Sequence, residues 1–151
     1  MHQQPLHQFM EVGHIADIML DTSPISGGTT TLHSLWMGMP VITLDAERGV
    51  DACSAYVLRE LGMEEDIAQT EEEYVQIAMR VMADPQRLSV QRENIRARMS
   101  SSIFMDYAAY AADVEKSFRI MWLNWLRGGK RDLCLDVDVE AEMVLFESST
   151  V

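Results

Sequence analysis

The sequence predicts an α/β fold built on a short parallel sheet, and three observations carry that prediction. Two apolar runs of strand length lie near the N-terminus, a glycine-containing turn and a short helical repeat separate them, and downstream the apolar period changes to about 3.6 and stays there. Strands and helices alternating at such short intervals favour parallel pairing through helical crossovers.

The first run is Ala16-Asp17-Ile18-Met19-Leu20-Asp21, closed by Thr22-Ser23-Pro24. The second is Pro40-Val41-Ile42-Thr43-Leu44, closed by Asp45-Ala46. Both have the length and boundaries of buried strands. Between them Ser26-Gly27-Gly28-Thr29-Thr30-Thr31 leads into Leu32, Leu35 and Trp36 at helical spacing, and Gly38 supplies the stop. The next helix is read from Cys53, Tyr56, Val57 and Leu61, ending at Gly62. Another follows from Tyr74, Ile77, Ala78, Val81 and Met82, ending before Pro85. Gln86 to Met99 carries a thinner stripe of Leu88, Ile95 and Met99, with Arg87, Arg92, Arg96 and Arg98 elsewhere, and is read as a surface helix. The last helix keeps Tyr107, Tyr110, Ala111, Val114, Phe118, Met121, Trp122 and Trp125 in register up to Gly128-Gly129, which predicts a large buried aromatic face.

Two strands are too few to complete a parallel sheet, so the missing ones are expected upstream of residue 1. Met1 to Glu11 has no strand or helix of obvious strength. After Lys130, Leu133, Leu135, Val137, Val139 and Ala141 alternate with Cys134, Asp136, Asp138, Glu140 and Glu142. Three readings stand for that tail: an acidic edge strand, a segment without stable structure, or a helix over 140–147.

Composition narrows the function classes. The chain has 151 residues, 48% of them hydrophobic and 24% charged, which suits one soluble globular domain and excludes collagen or disorder. Its net charge of -12 disfavours nucleic acid and anionic membrane surfaces as partners. Cys53 and Cys134 are far apart with no CxxC spacing, so a reducing, cytoplasmic setting is expected. No apolar run approaches the roughly 18 residues of a membrane span, and the N-terminus lacks the basic and then apolar pattern of a signal peptide. His2, His7 and His14 have no acidic partners at ligand spacing, and no metal site is predicted. The 12 methionines are read as adaptable core filler. Glu64-Glu65-Asp66 and Glu71-Glu72-Glu73 are read as solvated helix starts, and Asp17 and Asp21 as structural carboxylates flanking the first strand. Trp122 and Trp125 are read as core or interface residues.

The chemistry is concentrated in Gly27-Gly28-Thr29-Thr30. Glycines let the backbone approach a ligand closely, and the helix that follows begins with N–H groups lacking intrahelical partners, a natural anion site. The threonine hydroxyls either cap that helix or donate to phosphate oxygens, and His33 projects from the same face one turn deeper, within reach of a phosphate or a ribose hydroxyl. A plain turn with an N-cap is the competing reading of the same residues. Position after a strand in an α/β pattern favours the ligand, because open sheets bind ligands beyond the C-terminal ends of their strands. Neither a Walker A loop nor a G-x-G-x-x-G fingerprint is present.

The segments Ala16 to Pro24, Gly27 to Thr31 and His33 to Leu44 closely resemble the C-terminal catalytic region of the O-linked N-acetylglucosamine transferase family, including its SPINDLY-like members. Leu58-Arg59-Glu60-Leu61-Gly62, Glu73-Tyr74, Asp84-Pro85 with Leu88, Ser102-Ile103-Phe104-Met105-Asp106 and the Trp-containing final helix agree, so the resemblance covers about residues 14 to 128. It implies the Rossmann-like C-terminal half of a GT-B glycosyltransferase, with a parallel sheet incomplete in this chain and a helix-rich C-terminal part. The chain then divides into a leader remnant at 1–13, a sugar-nucleotide-binding half at 14–129 and an acidic tail or edge strand at 130–151. The resemblance also implies that Gly28, Thr29 and Thr30, beside Gly27, receive the diphosphate, and that His33 lies near the ribose. UDP-N-acetylglucosamine is the implied donor, a protein Ser or Thr hydroxyl the acceptor through an upstream region, and no cofactor is called for. No catalytic residue is assigned, and the chain alone is expected to be inactive. Pro24-Ile25-Ser26 and the loop from Asp45 to Ala52 depart from the family pattern, the latter placing an acidic residue beside the expected diphosphate. The alternative is an interaction module that kept the domain and lost its site.

Overall fold

The computed structural model describes residues 5–46 and 51–126. The chain divides after Met105 into two compact units, taken in turn.

The first unit holds a parallel sheet with helices on both faces. In chain order it contains α1 (Leu6–Ile15), β1 (Met19–Leu20), α2 (Thr29–Trp36), β2 (Val41–Leu44), α3 (Cys53–Glu60), β3 (Ile67–Ala68), α4 (Glu71–Met82) and α5 (Pro85–Ser100), with 3-10 turns at Glu64–Asp66 and Ile103–Met105. The strands lie in the order β1-β2-β3, all parallel, with Met19 opposite Val41 and Thr43 opposite Ile67. β2 is the central strand, and its alternation splits the core. Val41 packs on one side with Leu35, Ala55, Leu58, Met63, Ile95 and Met99, while Ile42 packs on the other with Ala68 and Ile77. This double burial is why β2 reads as a continuous apolar run.

Local sequence explains where the helices begin. Thr70 caps α4 by accepting the Glu73 N–H at 3.1 Å, and the Glu73 carboxylate reaches back to the Gln69 N–H at 2.7 Å. Asp84 caps α5 through the Arg87 N–H at 3.0 Å, with Pro85 in the first turn. Gly38 ends α2 at φ +75°, and a Cβ there would lie 2.6 Å from the Arg92 carbonyl oxygen of α5. Both the backbone conformation and the helix contact therefore require glycine.

Several expectations change here. The N-terminal segment read as featureless forms α1, because Arg92 of α5 donates to the carbonyls of Gly13, of Ala16 at 2.8 Å and of Asp17 at 3.2 Å, a C-terminal anchor that local sequence cannot reveal. α5 buries Leu88, Ile95 and Met99, the stripe read from sequence, but Ile95 and Met99 belong to the main core, so it is more than a surface helix. A third strand, β3, adds to the two that the sequence predicts, since two residues are too short to show a period. Asp66 is not a solvated helix start: it is buried, with one oxygen receiving the Gln91 amide at 3.0 Å and the other without a partner. Burial, then the Glu65 charge, push its pKa up to about 6, against the opposing pull of Arg80, Gln91 and Arg87.

The second unit contains α6 (Tyr107–Leu126), whose first turn is capped by Asp106 through the Ala109 N–H at 2.9 Å. Its buried residues are Ile120 and Leu123, with Val114 and Ser117 half-buried. The expected buried aromatic face is overturned: Tyr107, Tyr110, Phe118, Trp122 and Trp125 are each more than half exposed. The buried stripe is offset from the aromatic one along the helix, and Trp122 and Trp125 stack on each other at 5.1 Å instead. The alternating segment after Lys130 lies outside the described residues. Among the described residues, no helix is long and apolar enough to cross a membrane.

Candidate functional site

The site grows from the C-terminal end of β1. Asp21, the residue after the strand, is buried, and its carboxylate accepts two bonds: the Gly27 N–H at 2.8 Å and the Thr43 hydroxyl at 2.8 Å. Its own carbonyl accepts the Tyr74 hydroxyl at 2.8 Å, and burial together with the Asp21 charge raises the Tyr74 pKa. This carboxylate thus pins the turn to the sheet, the structural role read for it from the sequence.

From Gly27 the chain enters α2. Gly27 is packed so closely that a Cβ would lie 2.5 Å from the Thr31 hydroxyl oxygen and 2.8 Å from that of Thr30. Gly28 is the N-cap, and no side chain caps the helix. Thr29 and Thr30 are exposed at its start, whereas Thr31 is fully buried. The hydroxyls of Thr29 and Thr30 therefore do not take the capping role that the sequence allowed. An uncapped helix end presents N–H groups and partial positive charge to solvent, which stabilise an anion by about 0.3–1 kcal/mol through the dipole alone.

Two residues that sequence reasoning passed over complete the surroundings. Ser54, buried near the start of α3, bonds to the Gly27 carbonyl and to Thr31. Phe9 of α1 lies against His33, ring centroids 6.0 Å apart at 60°, so His33 is half-buried on the α1 side of α2. Neither contact has a local signal, because each joins segments distant in sequence. Gly27, Gly28, Thr29 and Thr30 form one continuous turn, with His33 a helical turn deeper, as their spacing requires.

Of the acidic residues in the loop that departs from the family pattern, Asp45 at its start is paired. Asp45 pairs with the Arg59 guanidinium at 2.5 Å and accepts the Gln69 amide at 3.2 Å. Burial works to raise its pKa, but Gln69, Arg59 and the Ala46 N–H outweigh burial and hold the carboxyl below its ordinary range. Among the described residues, no group of three or more His, Cys, Asp or Glu is arranged to hold a metal ion.

This arrangement of strand, glycine turn and uncapped helix coincides with a family match: the model of glycosyl transferase family 41 matches residues 4–114. The chain belongs to that family. The match begins at residue 4, so it takes in α1. Among family 41 relatives, a probable UDP-N-acetylglucosamine–peptide N-acetylglucosaminyltransferase SPINDLY of Solanum lycopersicum is 32% identical over 96% of this chain and 16% of its own length. A UDP-N-acetylglucosamine–peptide N-acetylglucosaminyltransferase of Caenorhabditis elegans is 34% identical over 77% of this chain and 10% of its own length. A solved mutant O-GlcNAc transferase of Thermobaculum terrenum superposes with a TM-score of 0.73 at 34% identity, over 81% of this chain and 24% of that one. That likeness establishes the expected fold, part of a GT-B glycosyltransferase with a small open parallel sheet. The chain spans less than a quarter of the length of each of these proteins.

Proposed function

We propose that this chain forms the donor-binding wall of a family 41 glycosyltransferase that moves N-acetylglucosamine from UDP-N-acetylglucosamine to Ser or Thr hydroxyls of a protein. The observation that carries the reading is the open N-terminus of α2 at the end of β1, with Gly28 at the cap and Thr29 and Thr30 exposed. The diphosphate sits on the Gly28, Thr29 and Thr30 amides and the two threonine hydroxyls, and His33 stands near the ribose. These donors supply the anion's partners, so the nucleotide binds without a metal ion.

In transfer, the bond from the sugar's anomeric carbon to the diphosphate oxygen breaks as a bond to the acceptor oxygen forms, and the acceptor hydroxyl gives up its proton to a base outside the donor-binding residues. Negative charge then grows on the departing UDP, where the α2 amides and dipole meet it. Near-attack geometry needs donor and acceptor held together between two walls, and these residues form one of them. Binding and chemistry accordingly separate in this chain. The acidic, cysteine-poor composition supports a cytoplasmic setting, with a nucleotide sugar and a protein acceptor as partners.

The test is isothermal titration with UDP in the presence of EDTA. Micromolar to millimolar affinity is expected, weakened by Thr29→Ala and by Thr30→Ala. A flat titration at millimolar UDP refutes the reading and favours an interaction module that has lost the site.

A further inference from the structure

We propose that Ser54 is the positioning residue of the diphosphate cradle, a proposal that rests on the donor-binding reading above. Ser54 is fully buried near the start of α3, and its hydroxyl donates to the Gly27 carbonyl at 2.9 Å. It also lies 2.7 Å from the Thr31 hydroxyl. A serine hydroxyl carries a single hydrogen. Since Ser54 spends that hydrogen on the carbonyl, Thr31 is the donor in the second bond. The backbone N–H of Ser54 adds a third tie, to the Ser26 hydroxyl at 3.3 Å.

The consequence follows from peptide geometry. The Gly27 carbonyl and the Gly28 N–H belong to one planar peptide unit and point in opposite directions when it is trans. Holding the carbonyl on the buried side turns the Gly28 N–H to the open side, where the diphosphate lies. Asp21 fixes the preceding unit through the Gly27 N–H at 2.8 Å. Gly27 is thus gripped at both ends, by the end of β1 and by α3, and its missing side chain lets Thr31 close in. Thr31 supports Ser54 but does not itself hold the carbonyl. The two halves of this buried pair therefore have unequal consequences for the ligand.

That inequality is the test. UDP and uridine are titrated into the wild-type chain and into Ser54→Ala and Thr31→Val, below the melting temperature of each variant. Ser54→Ala is expected to weaken UDP about tenfold while changing uridine, which has no phosphate, less than about twofold. Thr31→Val keeps the bond from Ser54 to Gly27 and is expected to weaken UDP less than about threefold. Should Ser54→Ala not fold, Ser54→Cys keeps nearly the same volume with only a weak donor and is expected to give the same ordering. The proposal is overturned by unchanged UDP affinity in the Ser54 variant, by equal losses of UDP and uridine, or by Thr31→Val matching the Ser54 variant. A wild-type chain that binds no UDP overturns the donor-binding reading itself, and this proposal with it.

Discussion

Asp66→Asn separates a buried charge from every other source of pH dependence in the fold. The Asp66 carboxyl is buried, one oxygen is unpartnered, and its pKa rises from 3.8 to about 6, chiefly through desolvation. The folded chain therefore holds the proton more tightly than the unfolded chain, and stability falls as pH rises through that window. At about 1.36 kcal/mol per pKa unit, the penalty above pH 6 is about 3 kcal/mol, roughly half of which develops between pH 5 and pH 8. Asparagine keeps an acceptor for Gln91 and has no charge to bury, so the variant should gain on the wild type by about 1–2 kcal/mol across the same range. Urea denaturation of both proteins at half-unit intervals measures this difference, and starting at pH 5 stays above the isoelectric point of about 4.6. The comparison cancels the other carboxylates, and any fixed cost of placing an amide in the pocket shifts the two curves without changing their divergence. Parallel curves, within about 0.5 kcal/mol over the range, would refute the account of Asp66 as a buried, destabilising carboxylate.

Two further outcomes follow from the same geometry. Gly38→Ala places a Cβ 2.6 Å from the Arg92 carbonyl oxygen at a φ of +75°, and should cost about 2–4 kcal/mol in thermal or chemical denaturation; a loss below about 0.5 kcal/mol would contradict the close α2–α5 contact. Incubated alone with radiolabelled UDP-N-acetylglucosamine and Ser/Thr peptides, the chain should incorporate no label above a Thr29→Ala, Thr30→Ala control; incorporation above that control would place the whole active site within these residues.

What the sequence could disclose depended on how local each cause was. β2 and α2 were legible because their signals are contiguous: an apolar run buried on both faces, and a glycine turn followed by Leu32, Leu35 and Trp36. The α5 stripe of Leu88, Ile95 and Met99 was legible for the same reason, although not the core it joins. α1 leaves no such signal, because its C-terminal anchor, Arg92, lies 76 residues beyond the Ala16 carbonyl it holds. The buried face of α6 is not legible, because aromatic residues at helical spacing look like a core stripe wherever the buried stripe of Ile120 and Leu123 runs. At the site, Gly27, Gly28, Thr29 and Thr30 were visible as a turn, but Ser54 acts 27 residues away through a single hydroxyl, and nothing in its own neighbourhood marks it.

The central claim is that the α2 N-terminus receives the nucleotide diphosphate, and amide chemical-shift mapping on the isotope-labelled chain tests it most directly. Addition of UDP should shift the Gly27, Gly28, Thr29, Thr30 and His33 amides first and furthest, with inorganic phosphate reproducing the shifts at residues 28–30 and leaving His33 unmoved. Saturable shifts centred elsewhere, or none at millimolar UDP, would contradict the claim.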